Sequence, residues 1–266
     1  SSDLDIALDL AVNFDAKTLS GSATYTLNWV DKAATQLVLD TRDLTISKAE
    51  GLAADGTWSE LKFALSDKDK VLGSALTIET PTRPAKVRVS YTTSPEASGL
   101  QWLTPEMTEG KQLPFMFSQS QQIHARSWVP LQDTPQVRYT YSANVTSRPD
   151  VMVLMSADND PKAARDGDYT FKMPQPIPSY LLAIAAGDLV FEPISPMRMR
   201  LSTRRRSPKS MMSKGVAPGV RTMSAPSSVR PEASASPESS GRKRTRIARQ
   251  STTENAHDHT MRVASA

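Results

Sequence analysis

The side chains of this chain that suit chemistry gather in one stretch. Between Ser98 and Pro135 lie Ser118, Gln119, Ser120, Gln121, His124 and Asp133. Serine, histidine and aspartate together are the residue types of nucleophilic catalysis, but closeness along a loop does not supply the mutual geometry a triad needs. The competing reading is a histidine hydrogen-bonded inside the fold, the ordinary fate of a lone one. A hydrolytic zinc site commonly takes two histidines four apart on a helix plus a distant carboxylate. His124 is the one histidine before residue 196 and cannot build that site alone. His257 and His259 flank Asp258 far along the chain, where H-x-H reads as a solvated accident of composition. With no cysteine there is no thiolate ligand, thiol nucleophile or disulfide framework. Neither a phosphate-cradling glycine loop nor a G-x-S-x-G elbow occurs. The residues therefore assign no catalytic and no metal-binding position.

Gln119 and Gln121 belong to a glutamine-rich stretch, which the residues alone read as ordinary turn hydrogen bonding.

The surrounding elements read as strands. Leu4, Ile6, Leu8, Leu10, Val12 and Phe14 alternate with mostly polar or small residues, which buries one face of a strand. Ala23, Tyr25, Leu27 and Trp29 repeat the pattern after a turn signal at Ser20-Gly21. Short β-branched or aromatic runs follow at 36–39, 44–47, 76–80, 87–91, 137–145, 151–156, 169–173 and 180–191. No long window carries apolar residues at helical spacing. The fold class expected is all-β, a sandwich or open barrel. Residues 98–135 depart from the strand rhythm, and so long a loop-like stretch in a compact β domain marks the first place to look for function.

Composition divides the 266-residue chain. Up to residue 195 there are 17 Lys+Arg against 24 Asp+Glu, net −7; from 196 to 266 there are 15 against 4, net +11. All 16 aromatic residues precede 196, and the 71 residues after it hold only 6 Leu, Ile, Val or Phe. So little apolar surface cannot offset the entropy of ordering, so 1–195 is expected to fold and 196–266 to form a disordered Arg/Ser/Pro-rich tail. Its cations are 12 Arg and 3 Lys, against 7 Arg and 10 Lys before it. That switch fits out-of-frame coding from a GC-rich gene, a plain linker, or a basic tail drawn to phosphates. No aromatic stacks bases there, which argues against a nucleic-acid partner. The longest apolar run, Tyr180–Ala186, is too short to span a membrane. The chain starts at Ser1 without a leader, which leaves any targeting segment removed or unrecorded.

Three strings carry a resemblance: SGLQWLTP (98–105), PFMFSQSQQIHARSWVPLQDTP (114–135) and MPQPIPSYLLAIAAGDL (173–189). In order and spacing they resemble the N-terminal domain of zinc aminopeptidases of the aminopeptidase N type, the gluzincins, most of all the leukotriene A-4 hydrolase branch. The resemblance spans about residues 3–193. It implies a saddle-shaped β domain that in the family packs against a thermolysin-like catalytic domain, followed by a helical one. The H-E-x-x-H helix, its downstream glutamate, the G-x-M-x-N loop and the assisting tyrosine would belong to parts lacking here, and zinc with them. What the resemblance implies for this chain is a loop reaching the active-site cleft. Gln121 corresponds to the residue whose side-chain oxygen helps bind the free amino group of a peptide substrate, with Gln119 beside it. Trp102, Trp128 and nearby prolines would fix that loop by packing. Localisation stays open, with the cytoplasm favoured over a bacterial periplasm after signal removal. A stand-alone β-sandwich module binding peptide or protein, with a basic tail, is the alternative. A domain that packs on another one exposes apolar surface that such a module would not.

Overall fold

The structure, a computed structural model, describes residues 4–195 except 32 and 161, and residues 198–203. Strands are numbered in chain order. A seven-stranded sheet runs β13 (Asp168–Pro178), β11 (Arg138–Thr146), β1 (Leu4–Asn13), β2 (Thr18–Thr26), β8 (Lys86–Thr92), β4 (Thr45–Leu52), β5 (Trp58–Glu60). Four strands form a second sheet in the order β12 (Met152–Met155), β14 (Ile184–Gly187), β10 (Phe115–Ser118), β9 (Leu100–Leu103). A third sheet holds β3 (Gln36–Thr41), β7 (Ser74–Glu79) and β6 (Phe63–Leu65). β15 (Leu189–Ser195) pairs with β16 (Arg198–Thr203). The fold is all-β with open sheets. Among the described residues the helical content is three single 3-10 turns, at Pro105–Met107, Ala125–Ser127 and Ser179–Leu181.

Alternation sets the packing. In β1, Leu4, Ile6, Leu8 and Leu10 are buried, each worth about 1.5–3 kcal/mol when fully withdrawn from water. β1 lies antiparallel to β2 and parallel to β11, so its buried row meets Ala23 and Tyr25 on one side and Tyr139, Tyr141 and Ala143 on the other. Side chains of the three larger sheets join one core, with Leu39, Leu76 and Ile78 from the third sheet and Met116, Ile184 and Ala186 from the second. Burial raises the Tyr25 hydroxyl well above its usual value, with Tyr91 and Tyr139 adding to the effect. Burial likewise pushes Tyr141 up to about 12. These hydroxyls are thus neutral donors: Tyr25 donates to the Pro130 carbonyl and Tyr141 pairs with Ser156 Oγ at 3.0 Å.

Several sequence expectations need correction. The Ser20-Gly21 signal is not a turn; Gly21 sits within β2, paired to Leu10 and Tyr91, and the chain reverses at residues 14–17. A glycine is required there for space, because a Cβ would lie 1.9 Å from the Asp9 carbonyl oxygen, and its φ is +147°. The 98–135 stretch is not strand-free, for it contributes β9 and β10. Residues 180–191 do not form one strand; a 3-10 turn, β14 and β15 share them. Pairing also runs past the composition break, with Leu189 through Ser195 facing Thr203 through Arg198. Disorder expected for the rest of the tail falls on residues 204–266, outside the described residues.

Gly21→Ala is expected to destabilise the domain by at least about 1–3 kcal/mol, since two strand backbones must part to admit the methyl group. A urea titration checks it: a lower midpoint is expected at unchanged slope.

Candidate functional site

The glutamine loop grows out of β10. At its last residue, Ser118 Oγ accepts the Ile184 N–H at 2.9 Å, joining β10 to β14 beyond their backbone ladder. Next, the Gln119 N–H donates to the Gly99 carbonyl at 2.9 Å, carrying the contact to the residue before β9. Ser120 then turns inward with only 3% of its surface exposed, while Gln119, Gln121 and Gln122 face solvent. Gln119 Oε1 accepts the Gln121 N–H at 3.1 Å. One of its two lone pairs therefore serves the loop itself, the ordinary turn role weighed for it. Gln121 is arranged otherwise: among the described residues its side-chain amide has no hydrogen-bond partner.

Below this tip the chain is packed tightly. Trp128 is fully buried, and Trp102 stands edge-on to Phe14 at 5.7 Å. Gly99 N donates to Ser127 Oγ at 2.8 Å, which donates in turn to the His124 carbonyl at 2.7 Å. A Cβ at Gly99 would lie 2.5 Å from that carbonyl and 2.7 Å from the serine oxygen, so glycine is needed where the two segments touch.

The structure does not assemble a triad from the serine, histidine and aspartate. His124 Nδ1 sits 2.8 Å from Ser98 Oγ and 3.1 Å from Arg42 Nη1, so the histidine is tied into the fold. Ser120 Oγ donates to the Leu182 carbonyl, and Asp133 is committed to Arg126.

The first two strings that carry the resemblance, and the third as far as residue 181, lie inside one matched region. Residues 3–181 match the model of the peptidase M1 N-terminal domain. The chain belongs to this family. A leukotriene A-4 hydrolase from Xenopus laevis is 38% identical over 199 residues, covering 71% of this chain and 32% of the relative. A leucine aminopeptidase 2 from Yarrowia lipolytica is 39% identical over 192 residues, covering 70% and 28%. The yeast LTA4 hydrolase structure in complex with bestatin superposes with a TM-score of 0.66 at 32% identity, over 76% of this chain and 31% of that one. An M1 zinc metallopeptidase from Deinococcus radiodurans, at 18% identity and a TM-score of 0.54, shares the fold. The chain thus spans about a third of the length of these curated relatives.

Peptidase M1 relatives include a zinc metallopeptidase. Among the described residues no group of three or more His, Cys, Asp or Glu is placed to hold a metal ion, and the one described histidine turns Nδ1 to a guanidinium.

Sequence reasoning passed over the cation on which the loop rests. Arg126 is 5% exposed, and its donors are all directed inward. Its backbone N–H and Nε each reach Asp133 Oδ2 at 3.2 Å, Nη2 donates to the Asp133 carbonyl at 3.0 Å, and Nη1 to the Leu72 carbonyl at 2.9 Å. Asp40 of β3 completes the set: its Oδ2 lies 3.5 Å from Arg126 Nη2 and accepts the Asp133 N–H at 2.8 Å. The available signal was a lone arginine just ahead of the apolar run Trp128–Leu131. Removing one partner of a buried ion pair leaves the other uncompensated, at about 3–5 kcal/mol. Arg126→Ala is therefore expected to lower the thermal midpoint by about 6–20 °C for a domain of this size. Arg148→Ala, which breaks an exposed pair with Asp150, should move it by no more than about 4 °C.

Proposed function

We propose that this chain is the substrate-gating N-terminal β domain of a zinc aminopeptidase of the leukotriene A-4 hydrolase type. The full-length form would remove N-terminal residues from peptides. The observation that carries this reading is the Gln121 amide, exposed and unpartnered at the tip of a rigidly supported loop. Gln121 would accept a hydrogen bond from the substrate ammonium through Oε1, and Gln119 would steady it by holding the Gln121 N–H. Zinc, held by the catalytic domain of the complete enzyme, would supply the hydrolytic chemistry. This domain's share is to bind and orient the amino end.

Exposed apolar side chains beside the loop support a domain that packs on another. Tyr180 and Leu181 are 36% and 50% exposed on the 3-10 turn directly before Leu182, whose carbonyl accepts the Ser120 hydroxyl. Val71 and Leu72, at 65% and 54%, sit on the turn whose carbonyls Arg42 and Arg126 hold.

The chain by itself is expected to show no zinc-dependent turnover of an amino-acid anilide, because residues 1–195 hold one histidine and no thiol. Turnover that a chelator abolishes would overturn that expectation. In a full-length enzyme carrying residues 1–195, Gln121→Ala should lower kcat/KM about tenfold to hundredfold, since a hydrogen bond to a charged group is worth roughly 1.5–3 kcal/mol. Gln121→Glu should retain activity, because a carboxylate accepts the same bond. Neither should shift the thermal midpoint, as the side chain faces solvent. Unchanged kinetics in the alanine variant would return Gln121 to ordinary turn bonding.

A further inference from the structure

Between the two exposed glutamines stands a side chain that touches nothing outside the fold. Ser120 Oγ donates to the Leu182 carbonyl at 2.7 Å and accepts the Trp128 indole N–H at 3.1 Å, and all three groups are buried. The Ser120 carbonyl accepts the His124 N–H at 3.0 Å. One residue thus fixes the loop tip at three points: through its hydroxyl to Leu182, the residue after the 3-10 turn at Ser179–Leu181, and to the buried tryptophan, and through its backbone to the turn that follows. A hydroxyl suits the place because it donates and accepts at once. Alanine would orphan a buried indole donor and remove the bond to Leu182.

We propose that Ser120 is a positioning residue, which sets where the Gln121 oxygen meets the substrate ammonium. The inference rests on the reading of Gln121 given above. A single peptide unit separates the Cα that carries the pinned hydroxyl from the Cα that carries the Gln121 side chain. Ser120→Ala removes both hydroxyl bonds and leaves the Ser120 carbonyl on the His124 N–H and the Gln121 N–H on the exposed Gln119 side chain as the remaining ties beside Gln121. The Cα that carries the Gln121 side chain then samples more positions, and a bond that depends on geometry is weakened in every complex. Its loss falls on ground state and transition state alike, so KM carries the effect more than kcat.

A double-mutant cycle separates positioning from general support. It uses a full-length enzyme whose N-terminal domain is residues 1–195, with kcat and KM measured on an amino-acid anilide. Ser120→Ala is expected to lower kcat/KM about tenfold, mainly through KM. In a Gln121→Ala background the same change should have less than about a twofold effect, because nothing is left to position. Effects that multiply in the double variant overturn the proposal, as does a Ser120→Ala enzyme with unaltered kinetics. Normal kinetics in Gln121→Ala alone overturn the amine-binding reading, and the proposal with it. Where Ser120→Ala fails to fold, Ser120→Cys enters the cycle: it nearly keeps the volume and a weak S–H donor. A smaller loss that again vanishes without Gln121 supports positioning, and a multiplicative one overturns it.

Discussion

A guanidinium taken out of water has to be answered on every side, and Arg126 is answered by residues far apart in sequence. Asp133 supplies a carboxylate oxygen and a carbonyl, Leu72 a second carbonyl, and Asp40 a further carboxylate. Desolvating such a group costs several kcal/mol, so the network need not add net stability over an apolar replacement. Its contribution is geometric. Five donors in a fixed fork accept one arrangement of partners, and that arrangement sets residues 126–133 against β3. The backbone follows, with Asp40 and Leu131 exchanging both hydrogen bonds and Arg42 N–H reaching the Arg126 carbonyl at 2.9 Å. A stretch without regular secondary structure is thereby built into the core.

What the loop presents depends on that anchoring. Arg126 holds the following segment, Trp128 fills the space beneath, Ser120 hangs from the tryptophan, and Gln121 stands beyond Ser120 in solvent. Arg126, Trp128 and Ser120 are all buried and Gln121 faces solvent, so the neutral acceptor is exposed on a backbone that the core holds. In the proposed role, an amide oxygen on a held backbone would take one hydrogen of a peptide ammonium without adding charge to the site.

Much of this was legible before the structure. Period-two alternation disclosed β1 and β2, and short β-branched or aromatic runs disclosed β8 and β11, because each has one face on the core and one on solvent. The same test passed over β9 and β10, four residues each, too short to show a period, and over β5 and β6, of three residues each. It also fused residues 180–191, where exposed Tyr180 and Leu181 adjoin buried Leu182 and Ile184, and apolar character no longer tells inside from outside. Gly21 misled because the commonest reason for glycine is a turn, whereas here a neighbouring strand leaves no room for Cβ. At the site, Gln119 and Gln121 were found through the resemblance, not through spacing. Arg126, Asp40 and Gly99 went unremarked because their partners are brought together only by the fold.

Backbone bonds at Gln119, His124 and Leu131 fasten residues 119–131 to the core, so that they are not a mobile surface loop even where Gln119, Gln121 and Gln122 face solvent. Native-state amide exchange on the 266-residue chain tests it residue by residue. The account predicts that the amides of Asp40, Arg42, Gln119, His124 and Leu131 open with the same free energy as those of β1 and β11. Exchange of those five near the unprotected rate, while the central strands stay protected, would contradict it.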